Sequence, residues 1–191
     1  MGVKIMDKYL DLIKTIVNKN SEEEWFEFKE NLQNEQVIGE YISALSNAAA
    51  MCNKEFAYLI WGVNNETHEI VGTKFDFRKD IKNEPLEQYL ARQIFPDTDF
   101  SFKEIIIDGK RVVLLEIPSA KNNPVSFNGV RYIRIGSSKV NVAKYPEREA
   151  KLFEVLRRSE KTIESIESEY QDLSFERLFT YFAGRGISLR A

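Results

Sequence analysis

The stretch "SEEEWFEFKENL", residues 21–32, governs how the rest of the chain is read. Three consecutive glutamates stand before Trp25 and Phe26, and a fourth, Glu27, is followed by Phe28 and Lys29 inside the same apolar run. As a strand, the segment puts Trp25, Glu27 and Lys29 on one face and Glu24, Phe26, Phe28 and Glu30 on the other. As a helix, Trp25, Phe28 and Leu32 share a side, so local periodicity leaves both forms open. In either form Glu27 falls where burial is expected, and a buried carboxylate needs a cation, hydrogen bonds or a metal. One reading pairs it with Lys29 on the same strand face. The other makes Glu22 and Glu27 metal ligands or acid/base groups. Carboxylates holding Mg²⁺ or Mn²⁺ polarise a phosphodiester and activate water, while a nearby lysine offsets developing charge. Five residues apart, the two glutamates point to opposite faces of a strand, so they converge only if Glu22 lies in a bend before it.

Working outward, "KIMDKYLDLIKTIVNK" (residues 4–19) carries Ile5, Met6, Tyr9, Leu10, Ile13, Ile16 and Val17 at helical spacing and predicts an amphipathic helix against the main body. "QVIGEYISALSNAAAM" (36–51) predicts a second helix whose small residues allow close approach to a sheet. "FAYLIWGV" (56–63) is short and continuously apolar, the pattern of a buried strand. A hairpin follows at Asn64-Asn65, with Glu69 to Gly72 starting the return strand. "NEPLEQYLARQIF" reads as a helix with Pro85 in its first turn and Leu86, Tyr89, Leu90 and Ile94 facing inward. Asp108-Gly109 and Asn128-Gly129 each join two strand-like runs and are strong hairpin signals. From Pro146 the pattern is helical again, to about Tyr170. Helices interleaved with strand pairs give an α+β fold with a mostly antiparallel central sheet flanked by helices.

The chain has 191 residues, enough for one well-packed domain with an appended piece. The division expected is an N-terminal helix (1–20), a main domain (21–158) and a helical C-terminal extension (159–191). "SFERLFTYFAGRGISLRA" begins like a capped helix at Ser174 and reads as the start of a truncated further region. The longest apolar run is far shorter than the roughly 20 residues of a membrane span, and the N-terminus lacks a signal peptide's apolar core. The expectation is a cytoplasmic protein without a membrane partner. Cys52 is the single cysteine and His68 the single histidine, which excludes an intramolecular disulfide and a zinc site built from these residue types. Charge is segregated: seven glutamates oppose one lysine from Asn20 to Glu40, whereas nine Lys and Arg oppose three glutamates from Lys121 to Arg158. That skew points to one basic face.

"EEEWFEFK", "IGEYISALSNAAA", "YLIWGVNNETHEIVGT", "IPSAKNNPVSFNGVRYIRIGSSK" and "YPERE" occur in that order from about Ser21 to Arg158. In this set of blocks the chain resembles the Schlafen AlbA_2 family, nucleic-acid-binding domains of many bacterial regulators, also described as a divergent AAA-4 domain. The resemblance implies an α/β domain in which "EFK" is a strand, within a protein that often continues into a winged-helix region. Animal relatives in the Schlafen group include endoribonucleases with three acidic site residues. Two of those fall on Glu22 and Glu27, in the pattern glutamate, four residues, glutamate, Phe, Lys. The third belongs just after the Gly-Val that closes the buried strand, where this chain has Asn64 and Asn65, with Glu66 one step on. Asparagine offers a metal a neutral oxygen but no charge. "NAAAMCNKEFAYLI" also departs from the glycine pair that follows Asn in many relatives. The nuclease set implied is therefore Glu22, Glu27, Lys29 and Asn65, with Mg or Mn on Glu22 and Glu27.

The binding set comes from "VRYIRIGSSK" and the residues from there to Arg148. Small hydroxyl residues, exposed amides and flanking cations suit phosphate oxygens, which singles out Arg131, Arg134, Ser137, Ser138, Lys139, Lys144 and Arg148, with Tyr132 placed to stack on a base. Three functions arise as expectations. The first is a nucleic-acid-binding domain of a bacterial transcriptional regulator, taking DNA or RNA. The second is a metal-dependent nuclease. The third, suggested by the amphipathic first helix and the acidic faces, is a protein-interaction or homo-oligomerisation module.

Overall fold

A computed structural model describes the backbone of residues 2–19 and 22–171 and the side chains of 8–19 and 22–158. The first helix, α1 (Gly2–Val17), leads to β1 (Phe26–Lys29), α2 (Glu35–Met51) and β2 (Phe56–Trp61). β1 pairs with β2 in parallel, Phe26 opposite Tyr58 and Lys29 opposite Trp61. A parallel pair needs a long crossover, and α2 supplies it. Asn34 caps that helix, its side-chain oxygen accepting from the Val37 amide at 3.0 Å.

Next come the two-residue strands β3 (Asp80–Ile81) and β4 (Glu84–Pro85), α3 (Leu86–Ala91) and β5 (Ile94–Phe95). Two long hairpin strands follow, β6 (Ser101–Ile107) and β7 (Lys110–Pro118), then β8 (Ser126–Phe127), β9 (Val130–Ile135) and β10 (Ser138–Asn141). Of the two four-stranded sheets, one runs β1-β2-β7-β6, with β7 antiparallel to both neighbours, and the other is fully antiparallel, in the order β10-β9-β8-β5; β3 and β4 pair separately. The fold is α+β, with antiparallel pairing everywhere except between β1 and β2. β2 is buried on both faces, which is why its sequence is continuously apolar rather than alternating.

α2 packs against β2 and β7 of the first sheet and β8 and β9 of the second, and residues 38 and 39 and 41–49 are all buried. The small residues let both sheets approach. Asn47 in its middle is fully satisfied: its Nδ2 donates to the Val125 and Tyr132 carbonyls, both at 2.8 Å, and its Oδ1 accepts from the Val125 amide at 2.8 Å. Tyr9, Ile13 and Ile16 of α1 are buried too, so the apolar face of that helix is used within the chain.

Both Asx-Gly hairpins form, with positive φ at Asp108 and Gly109 (49° and 74°) and at Asn128 and Gly129 (49° and 75°). These are the left-handed pairs that match strand twist. Three expectations change. The return strand at 69–72 reduces to a single bridge, Val63 to Ile70, because the Val71 and Gly72 amides both donate to the Gly62 carbonyl and pinch the chain shut. The small-residue loop after Ile135 is a tight turn, and Ser138 and Lys139 already belong to β10. The helix after Pro85 stops at Ala91, before Ile94 joins β5. The last helix, α4 (Pro146–Gln171), comes after a 3-10 turn at Val142–Lys144 and continues past residue 158. The helix expected from Ser174 lies outside the described residues.

Candidate functional site

Residues 22–25 form an extended bend and turn, so Glu22 folds back on the strand after it. Its Oε1 accepts from the Phe28 amide at 3.0 Å and its Oε2 from Arg134 Nη2 at 3.2 Å. Glu27, only 3% exposed, takes Lys29 and the Tyr41 hydroxyl (3.1 Å) on Oε1 and pairs through Oε2 with Arg134 Nη1. The two glutamates therefore do converge, and what they converge on is a guanidinium. Arg134, 1% exposed, reaches them from β9 and also donates to the Gly136 carbonyl through Nε (3.4 Å) and Nη2 (3.3 Å). Burial pulls its pKa down from the usual range while Glu22 and Glu24 push it back up. Arginine stays charged under such opposition.

The expected partner, Lys29, is present as well. Burial lowers its pKa, against the attraction of Glu22, and its Nζ lies 5.3 Å from the centre of the Tyr41 ring. In the amide orientation that satisfies both groups, Asn65 donates to the Phe28 carbonyl (3.0 Å) and accepts from Lys29 Nζ (3.2 Å). Lys29, Glu30, Asn31, Leu32, Asn64, Asn65 and Glu66 line a cleft of about 460 Å³. It opens at the carboxyl ends of the parallel strands, where ligands commonly sit in sheets with crossover helices.

The arrangement does not fit a divalent cation. Both oxygens of Glu22 and Oε1 of Glu27 accept hydrogen bonds from the protein, and Oε2 of Glu27 is ion-paired with Arg134. Asn64 Oδ1 accepts from the Glu66 and Thr67 amides and the Thr67 hydroxyl. Among the described residues no group of three or more His, Cys, Asp or Glu is placed to hold a metal. His68 packs its ring 4.9 Å from that of Phe28, with Nδ1 3.0 Å from the Lys19 carbonyl oxygen.

The eight residues of the binding set separate. Arg134 is in the interior. Arg131 is tied to Glu149, with Nε 3.0 Å from Oε1. Lys139 pairs with Glu40 and stands 4.6 Å from the Tyr41 ring centre, and the Tyr132 hydroxyl donates to the same Glu40 at 3.4 Å. Burial raises the pKa of Tyr132, with Glu40 adding to it. For Glu40 itself, burial works upward but is outweighed by the hydrogen bonds from Lys139 and Gln36, so its carboxyl sits below the usual range. Ser137, Ser138 and Lys144 are exposed and Arg148 is half-buried, joined on α4 by the exposed Lys151. The acidic strand thus brings together Glu22, Glu27, Lys29 and Asn65, while the basic set divides into internally paired cations and a surface group at the start of α4. Tyr41 and Glu40 were not singled out in the sequence, although their place in a helix rich in small buried residues was a usable signal.

The model of the Schlafen AlbA_2 family matches residues 22–143. The chain belongs to the Schlafen AlbA_2 family. The AlbA_2 segment begins at Glu22 and ends one residue before Lys144, so it contains the whole ion-paired centre, whereas Lys144, Arg148 and Lys151 lie beyond it. Among solved structures, the chain is similar to the DIP2311 protein of Corynebacterium diphtheriae, with 18% identity and a TM-score of 0.47 over 71% of this chain and 30% of that one. It is also similar to the N-terminal domain of a helicase RecG-related protein from Nitrosomonas europaea, with 22% identity and a TM-score of 0.41 over 67% of this chain and 88% of that one. No curated protein matches the chain. No helix among the described residues is long and apolar enough to cross a membrane.

Proposed function

We propose that this AlbA_2 domain binds a nucleic-acid backbone, as part of a bacterial regulator of transcription. The observation that carries the reading is the pairing of both Glu22 and Glu27 with Arg134. It neutralises inside the protein the charge that would repel phosphate and that a metal would need. Outside that centre, Ser137 and Ser138 offer hydroxyls on a tight turn, and Lys144, Arg148 and Lys151 supply positive charge. Such groups grip phosphate oxygens without reading sequence. The family resemblance supports nucleic acid as the polyanion.

The test is a fluorescence anisotropy titration of labelled DNA and RNA, single-stranded and duplex, at low and moderate salt. Affinity should fall steeply with salt, and Lys144→Ala with Arg148→Ala should weaken every ligand alike and flatten the salt slope by about one unit per lost phosphate contact. Retention of none of the four ligands at low salt would defeat the reading.

Against the alternative of a metal-dependent nuclease stands the pairing of Glu22 and Glu27 with Arg134, which takes up the carboxylates a cation would need. Structured RNA incubated with Mn²⁺ should therefore stay intact, and cleavage by the wild type would overturn this.

A further inference from the structure

The β9–β10 hairpin holds three cations, and each faces a carboxylate of the same chain. Arg131 meets Glu149 of α4, Lys139 meets Glu40 of α2, and Arg134 meets Glu22 and Glu27. The amide of Gly136 at the turn is treated the same way, donating to Glu24 Oε1 at 3.3 Å. A carboxylate oxygen is the same kind of acceptor for a guanidinium, an ammonium or a backbone amide as a phosphate oxygen. The hairpin therefore carries the donors of a phosphate site, with glutamates in the acceptor positions.

The pairs differ in how readily they exchange. The side chain of Arg134 is fully buried, and removing its partners would strand a charge. The side chains of Arg131 and Glu149 are 39% and 23% exposed, and those of Lys139 and Glu40 are 14% and 19% exposed. Ion pairs open to water are weak, so an incoming polyanion displaces Glu149 at small cost, and displaces Glu40 from the more enclosed Lys139 at a larger one. The exposed Ser137 and Ser138 lie between the two exchangeable cations along the hairpin.

We propose that Glu40 and Glu149 are internal stand-ins for phosphate: they hold Lys139 and Arg131 in the free protein and release them to a nucleic-acid backbone. This rests on the binding function above and adds where the backbone lies and what limits its affinity. Removing the competitor then strengthens binding. Glu40→Gln and Glu149→Gln keep the shape of each side chain and one acceptor oxygen while deleting its charge. Glu149→Gln should tighten DNA or RNA binding by up to about 5-fold, the size expected for a part-exposed pair, and Glu40→Gln should tighten it too. Because the cations reach the backbone in the wild-type complex as well, the salt slope should change by much less than the roughly 0.7–0.9 of one whole phosphate contact.

Glu87→Gln, on an exposed site of α3, makes the same change in net charge away from the hairpin and serves as the control. The experiment is anisotropy with a labelled 20-nucleotide single strand and its duplex over a salt series, on the wild type and the three variants. Tighter binding by the Glu40 and Glu149 variants at a salt slope close to the wild type's, with Glu87→Gln unchanged, supports the proposal. If the wild type binds and the two variants match Glu87→Gln or bind more weakly, the stand-in role is wrong while the binding function survives. If the wild type itself binds neither ligand, both fall together.

Discussion

Glu27 is a charged residue in the core, and its neighbours define what it does. With Lys29 and Tyr41 on one oxygen and Arg134 paired in charge with the other, the carboxylate is compensated, so removing one partner costs far more than the pair contributes. Arg134→Met and Glu27→Ala should each destabilise the fold by about 3–5 kcal/mol in urea denaturation. The need for a partner was legible in "EFKE", and strand alternation pointed to Lys29. Arg134 was not legible, because a contact made across 112 residues of sequence, as between Glu22 and Arg134, leaves no local pattern. Titration adds a second check. Burial, the Glu116 hydrogen bond and its charge push Tyr9 up to about 12, and burial with Glu116, Tyr9 and Glu55 does the same to Tyr58. A tyrosine whose pKa is raised by folding contributes stability that is intact below pH 10 and is lost as pH rises toward 12. Alkaline unfolding should therefore set in across about pH 10–12, with Tyr9 and Tyr58 among the tyrosines that ionise late in absorbance at 295 nm and Tyr9→Phe removing one of them.

The element on which both sheets depend is α2. A Cβ added at Gly39 would lie 2.1 Å from the buried ring of Phe127, so Gly39→Ala should lower stability by about 1–3 kcal/mol even though alanine favours a helix. Asn47→Leu strands the Val125 amide and takes a donor from the Val125 and Tyr132 carbonyls, and thermal unfolding should show a loss of roughly 2–5 kcal/mol. Elements whose signal is local were readable: α1, α2, β2 and the two Asx-Gly hairpins. The parallel pairing of β1 with β2 was not, since the segment's own periodicity also suited a helix and only the neighbouring β2 resolves it. β10 was missed for a related reason: Gly136-Ser137 resembles a loop until Ser138 pairs with Ile135.

At the scale of the whole molecule, the charge skew of the sequence did mark a real feature, but its meaning changed in three dimensions. Most of the cations on the β9–β10 hairpin answer the acidic residues around β1 and α2, so opposite ends of the sequence neutralise each other. What remains at the surface is the turn at Ser137-Ser138 and the start of α4. That is the face on which a phosphate backbone is expected. The measurement that decides this is the affinity of the wild type for a labelled 20-nucleotide strand and duplex at about 50 and about 200 mM salt, alongside Lys144→Ala/Arg148→Ala. Three to four phosphate contacts predict a loss of roughly 40- to 150-fold between those salts for the duplex, and a smaller loss in the double variant. Affinity that is absent, or indifferent to salt and to both substitutions, would contradict the account.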